Sequence, residues 1–414
     1  MNWLANALVN PGLVTWTMTK VLNMSTLFRE RFIIPPALLK IFETKFNDSQ
    51  LEAIKECTKY EGVSLIQGPP GTGKTSTISA ITSLLLSAED IFTVDVKENN
   101  VPKQICEKPN SNKSERSGFI LKGSNWIDEN IMTLDECFSY HPSSPSSQSV
   151  IRLVNQNLAK NTKKILICAP SNAAVDEIMR RLVSDPRLNG GIYNKKGTLY
   201  TPNVIRIGPG YHKELKKWSL NERLSQLKSV GKMISIDHFS RKLIQESSII
   251  CCTLSIAGSR ILTPFIGAID TVIVDEASQC VEASNLIPLK LDPKRVILVG
   301  DPKQLPATVF SVVALSLNYD RSLFQRLQEL NFKTVLLQTQ YRMHPRISAF
   351  PNNKFYKGQL KDAHDLVNSL KPLIDYYKLP LFAPLVFINI SGVETKSTNS
   401  YINVLEVIES SEPA

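Results

Sequence analysis

Gly68-Pro69-Pro70-Gly71-Thr72-Gly73-Lys74-Thr75, entered from the apolar run Val63-Ser64-Leu65-Ile66, decides the fold of this chain. It fits Gly-x4-Gly-Lys-Ser/Thr, the pattern of a loop that joins a strand to a helix and wraps a phosphate chain. Gly71 and Gly73 allow the backbone to turn its N–H groups inward. Lys74 offers a point charge to the outer phosphates, and the Thr75 hydroxyl suits Mg²⁺. The outgoing segment from Thr77 to Leu86 carries Ile78, Ile81, Leu84 and Leu85 on one helical face, so its positive N-terminal end points at the anion. Gly68 to Thr75 and the following Ser76 therefore form a candidate nucleotide site. A glycine-rich turn that binds nothing would need neither the buried strand before it nor the helix after it.

Outward from this loop, apolar strands alternate with helices. Ile165-Leu166-Ile167-Cys168-Ala169 leads into Pro170-Ser171-Asn172 and a helix through Val175, Ile178, Met179 and Leu182. Residues 203–207 read as a strand. Ile249 to Cys252 runs into Thr253-Leu254-Ser255, Thr271 to Val274 into Asp275-Glu276, and Val296 to Val299 into Gly300-Asp301-Pro302-Lys303-Gln304. Runs that are apolar on both sides belong in a parallel sheet covered on both faces. Each ends in polar residues at its C-terminal tip, where open α/β sheets hold their ligands.

Those tips carry recognisable chemistry. Asp275 is suited to holding Mg²⁺ through its hydration shell, and Glu276 to orienting and deprotonating a water. Gln304 can sense the terminal phosphate, and Arg342 can meet the charge that develops on a transferred phosphoryl group. A helix is expected from Leu51 to Thr58 with Asp48 or Ser49 as its cap. Gln50 stands at its start, with both a donor and an acceptor to offer the edge of a purine.

The composition bounds the rest. A chain of 414 residues with 43% apolar and 21% charged residues can bury two or three cores. The net charge of +10 suits a polyanionic partner. Between Lys195 and Ser247, eleven Lys and Arg face four acids, a net +7 that lies between two strand-end motifs. The seven cysteines, at 57, 106, 137, 168, 251, 252 and 280, include no CxxC pair and read as small core residues of a reducing compartment. Residues 3–19 are uncharged but short and broken by Pro11-Gly12, so a packed helical segment is expected rather than a membrane span. Residues 88–162 lose periodicity and pass through a Ser/Pro tract, which reads as a loosely ordered insertion.

FNDSQLEAI, QGPPGTGKT, CAPSNAAVDEI, CTLSIAGS, VIVDEASQ, VGDPKQLPATV and QYRMHP follow one another in the order of the superfamily 1 helicases that include the nonsense-mediated-decay and senataxin helicases. The residues around them, such as YTPNVIRIG and FPNNKFYKGQLKD, most resemble the senataxin-like group. The resemblance implies an α/β P-loop fold. An N-terminal helical segment (1–45) would precede a first RecA-like domain (46–333, with the insertion 88–162), and a partial second RecA-like domain (334–414) would follow. It implies ATP with Mg²⁺, 5′-to-3′ translocation on single-stranded RNA or DNA, unwinding of duplexes including RNA–DNA hybrids, a monomer, no membrane, and a nuclear place with cytoplasm as an alternative. It gives adenine to Gln50 and Tyr341, and catalysis to Lys74, Glu276, Gln304 and Arg342. Metal binding falls to Thr75 and Asp275, and contact with the nucleic-acid backbone to Ser171, Asn172, Thr253 and Ser255. Two further motifs of the family, a Gln-Gly-x-Glu core and an arginine finger within Ala-Leu-Thr-Arg, do not occur in these 414 residues. The expectation is then a chain that binds ATP, hydrolyses it weakly and does not unwind; the alternative is a protein that only binds nucleotide and nucleic acid.

Overall fold

The computed structural model describes residues 32–59, 61–87, 163–185, 190–229, 236–364, 366, 383–387, 389–396 and 401–403. The chain divides into two compact units, one formed by residues 1–88 and 163–414 and the other by 89–162. All the described residues belong to the first unit. Residues 3–19 and the insertion 88–162 lie outside the described residues. Among the described residues no helix is long and apolar enough to cross a membrane.

Seven strands build the central sheet: β1 (Gly62–Gln67), β2 (Ile165–Ala169), β5 (Val204–Arg206), β6 (Ile249–Thr253), β7 (Thr271–Val274), β8 (Arg295–Gly300) and β9 (Thr334–Leu336). The short hairpin strands β3 (Ile192–Tyr193) and β4 (Leu199–Tyr200) stand apart from it. The order across the sheet is β5-β6-β2-β7-β8-β1-β9, with every pairing parallel. The alternation of side chains explains the uninterrupted apolar runs. On β2, Ile165, Ile167 and Ala169 enter one core, while Leu166 and Cys168 enter the other. β6, β7 and β8 divide their residues in the same way.

The first core is closed by α1 (Pro36–Lys45), α2 (Asp48–Glu56), α3 (Lys74–Ser87) and α4 (Asn172–Leu182), through residues such as Phe42, Ile54, Ile81 and Met179. The second is closed by α5 (Leu220–Ser229), α6 (Ile236–Glu246) and α7 (Leu323–Glu329), through Leu220, Ile244 and Phe324 among others. The C-terminal end of α6 is held by Lys164, whose ammonium donates to the carbonyls of Ile244, Gln245 and Ser247 at 3.1, 2.9 and 2.6 Å. The cysteines at 57, 168, 251, 252 and 280 are free thiols packed in these cores.

Two local expectations change. The helix after residue 46 starts at Asp48, and its cap is Asn47: Asn47 Oδ1 accepts from Gln50 N, and Gln50 Oε1 accepts from Asn47 N. This reciprocal pairing is a capping box, which a Glu or Gln at the third helical position makes possible. Thr334–Leu336, read as the opening of a second domain, is instead the edge strand of the first sheet, because Val335 and Leu337 fill the core beside Ile66. Tyr401–Ile402 pairs antiparallel with Thr395–Lys396, as β-prone residues favour.

After β9 the chain forms β10 (Thr339–Gln340), α8 (Pro345–Phe355) and β11 (Lys361–Asp362), and β11 returns parallel to β10.

Candidate active site

The phosphate loop leaves the tip of β1 and is tied to the neighbouring strand tip by Gly68 N donating to Gly300 O at 2.9 Å. Gly71 and Gly73 take φ of +76° and +81°, in the left-handed region that side chains avoid. Space forbids side chains as well. A Cβ on Gly71 would lie 2.5 Å from Arg342 Cβ, and one on Gly73 would lie 2.6 Å from Gln50 Nε2. Thr72 is buried and donates its hydroxyl to Pro69 O at 2.8 Å, which closes the turn.

Lys74 folds back along the loop. Its ammonium donates to Gly68 O at 3.1 Å and lies 3.4 Å from Glu276 Oε1. Both are oxygen partners that a phosphate can replace. Glu276 has φ of +50°, a left-handed backbone in a residue that is not glycine. Such strain persists only where surrounding contacts hold it. Here Glu276 N donates to Asp275 Oδ1 at 2.9 Å, and the next residue, Ala277, bonds Val299 O.

Asp275 is the buried member of the pair. Burial raises its carboxyl to about 7, the neighbouring Glu276 charge adds to the rise, and Lys74 opposes it. A carboxyl held this way gains from a cation. Among the described residues no cluster of three or more His, Cys, Asp or Glu could hold a metal alone. Mg²⁺ keeps waters and takes one or two protein ligands beside phosphate oxygens. Asp275 and the half-buried Thr75 at the start of α3 fit this pattern.

Gln304 reaches the same oxygen as Lys74: its Nε2 donates to Gly68 O at 3.3 Å and to Asp301 Oδ2 at 2.9 Å. Asp301, fully buried, also accepts from Gln67 Nε2, Lys303 N and Tyr356 OH at 2.9, 3.1 and 2.6 Å. Gln67, Asp301 and Tyr356 were not singled out by sequence reasoning. The Asp of the Gly-Asp-Pro stretch was a usable signal for Asp301; nothing local marks the other two.

On the opposite flank, Gln50 Nε2 donates to Thr72 O at 3.2 Å. Its amide also serves the capping box, which leaves one donor hydrogen and one lone pair for any further partner. Tyr341 N donates to Gly71 O at 2.9 Å, and Tyr341 OH accepts from Asn47 Nδ2 at 2.8 Å. Gln50, Tyr341 and Arg342 thus converge on the loop from segments almost 300 residues apart.

The four residues expected at nucleic acid sit at the tips of β2 and β6, which are neighbours in the sheet. Ser171 caps α4 by accepting from Ala174 N at 3.2 Å, and Ser255 is exposed on the short helix Leu254–Ala257 that follows Thr253. Asn172 is positioned from beneath: Arg206, with no exposed surface, donates to Asn172 Oδ1 at 2.7 Å and to Asp176 Oδ1 at 3.1 Å. Asp176 Oδ2 accepts in turn from His212 N. Several cations of the basic segment are already paired, Lys216 with Glu222 and Lys217 with Asp185.

Comparison with known proteins agrees with this arrangement. Residues 45–238 and 231–312 match a family model described as an AAA domain, and residues 319–411 match a second model with the same description. A probable helicase of Dictyostelium discoideum is 34% identical over 92% of this chain and 45% of its own length. The probable helicase MAGATAMA 3 of Arabidopsis thaliana is 36% identical over 91% of this chain and 47% of its own. The helicase SEN1 of Saccharomyces cerevisiae is 32% identical over 88% of this chain and 17% of its own. The chain therefore spans about half the length of the first two relatives and a smaller part of the third. With a seven-stranded parallel sheet, a phosphate loop at β1 and an acidic pair at β7, the chain belongs to the AAA-domain family of these models and, within it, to the senataxin-like helicases.

Proposed function

We propose that this chain is the ATP-dependent motor of a 5′-to-3′ RNA/DNA helicase, which couples hydrolysis to translocation on single-stranded nucleic acid and to the opening of duplexes, RNA–DNA hybrids included. The observation that carries the reading is the shared rim of one sheet. The tips of β1, β7 and β8 bear the phosphate loop, the acidic pair and Gln304, while the adjoining tips of β2 and β6 bear hydroxyl and amide side chains suited to a sugar–phosphate backbone.

In this reading Lys74 neutralises the outer phosphates, and Thr75 and Asp275 hold Mg²⁺, which supplies charge neutralisation where the terminal phosphoryl leaves. Glu276 orients the attacking water and takes its proton, so its strained backbone aims the carboxylate. Gln304 reads the terminal phosphate and reports it through Asp301 to Tyr356. Arg342 meets the developing charge, while Gln50 and Tyr341 take the adenine. Gly71 and Gly73 to Ser76 supply backbone donors along the phosphates, while Gly68, Pro69, Pro70 and Thr72 shape the turn that aims them. Residues beyond β9 belong to a second RecA-like domain, and the monomeric protein works in the nucleus.

The test is ATP turnover of the whole chain with poly-U RNA, single-stranded DNA or neither, beside Lys74→Ala. Stimulation by either polymer, reduced about 10²-fold or more in the variant, supports the reading. A flat response in every arm overturns it in favour of a protein that only binds ATP and nucleic acid.

A further inference from the structure

We propose that Gln340 is a positioning residue for phosphoryl transfer, because its buried amide builds the turn that brings Tyr341 and Arg342 to the phosphate loop. The proposal rests on the role given to Arg342 above. A side-chain amide has two acceptor lone pairs and two donor hydrogens, and Gln340, with no exposed surface, uses all four. Oε1 accepts from Arg342 N at 2.9 Å and from Met343 N at 2.8 Å. Nε2 donates to Met343 O at 2.7 Å and to Asp362 Oδ1 at 2.5 Å.

Asp362 is the register partner of Gln340 in the β10–β11 pair, and its Oδ1 also accepts from Ser348 Oγ at 2.8 Å on α8. The turn is thus clamped on its inner side by two elements. On its outer side Tyr341 N bonds Gly71 O, and Gly71 backs closely onto Arg342 Cβ. Tyr341 and Arg342 themselves are exposed, and the Arg342 guanidinium has no hydrogen-bond partner among the described residues. Arg342 is placed by its backbone, which the Gln340 amide and the phosphate loop hold, and Tyr341 is held in addition by Asn47 Nδ2 donating to its hydroxyl.

No other side chain reproduces this pattern. A carboxylate at 340 could accept from both N–H groups but would turn an oxygen toward Asp362 and the Met343 carbonyl. An apolar residue would leave the part-buried N–H groups of Arg342 and Met343 without their acceptor.

The experiment compares, on the whole chain, affinity for ADP with beryllium fluoride, which mimics the bound phosphoryl group, and ADP with aluminium fluoride, which mimics it in transfer. Gln340→Glu is expected to lower the preference for aluminium fluoride about 10-fold, as a displaced charge donor should, while beryllium fluoride affinity stays within about 3-fold. Adding Asp362→Asn should restore much of the preference, since the new amide donates where the carboxylate accepted. Arg342→Ala run alongside should lose the preference.

Equal loss for both mimics in Gln340→Glu, or no recovery in the double variant, reduces Gln340 to a structural staple and overturns the proposal. A retained preference in Gln340→Glu beside a lost one in Arg342→Ala overturns it alone. A retained preference in Arg342→Ala overturns the role of that arginine first, and the proposal with it. Should Gln340→Glu not fold by circular dichroism, Asp362→Ala, which removes only the outer anchor, must weaken the preference about 3-fold, and an unchanged preference overturns the proposal.

Discussion

Asp275 and Glu276 are consecutive carboxylates that the fold treats differently. Asp275 is buried, and its carboxyl is raised to about 7, whereas the unfolded chain releases the same proton near 4. The folded state therefore binds this proton more tightly. The stability it contributes is fully present below about pH 4 and is lost as pH rises through about 7, a difference of order a few kcal/mol. Thermal melts of the nucleotide-free protein should show a lower Tm at pH 8 than at pH 5, and Asp275→Asn should flatten that dependence; an unchanged slope would contradict it. Glu276 is half-exposed and strained. Glu276→Gln should leave ATP affinity within a few-fold while turnover falls about 10²- to 10⁴-fold, as measured by titration beside single-turnover hydrolysis. At this scale the phosphate loop, the acidic pair and Gln304 were legible because their chemistry lies in consecutive residues behind a strand. Asn47, Gln67, Tyr356 and the buried Arg206 were not, since each matters through a partner that the chain supplies 30 to 300 residues away.

Elements carry function through their ends. The capping box of α2 does two things, since Asn47 fixes Gln50 in register and also bonds the Tyr341 hydroxyl. Asn47→Ala should cost about 1 kcal/mol of stability by urea unfolding. It should also weaken ATP binding more than GTP binding if, as proposed, the Gln50 amide and the Tyr341 ring take the adenine, because both lose their common anchor. At the far end of α6, Lys164→Ala leaves three backbone carbonyls without their donor. A loss of about 1 to 3 kcal/mol is expected, with nucleotide affinity untouched. The inner strands of the central sheet were read almost to the residue, because runs apolar on both sides leave few alternatives, whereas the two-residue strands such as β3 and β10 gave no signal. Helix starts and the assignment of Thr334–Leu336 were not, for a short edge strand shows no period and joins whichever sheet has a core to complete.

For the whole molecule, the two cores on either side of the sheet are what make the rim rigid enough to hold separated motifs in register. Leu166 and Ile167 are adjacent in sequence, fully buried, and face opposite cores. Truncation of either to Ala should cost about 2 to 5 kcal/mol in thermal unfolding, and the two losses should be nearly additive because a sheet separates the sites. That both cores exist was legible from composition and strand pattern. Which strand lies beside which was not, because the order β5-β6-β2-β7-β8-β1-β9 is set by crossovers that leave no trace in local sequence.

The phosphate loop has one more consequence. Four of its carbonyls already carry donors: Gly68 O from Lys74 and Gln304, Pro69 O from Thr72, Gly71 O from Tyr341 and Thr72 O from Gln50. With those negative ends occupied, the loop opposes an arriving anion less than bare carbonyls would. Sulfate or inorganic phosphate in a purification buffer should then act as a competitor, so affinities taken in such salts will understate the protein.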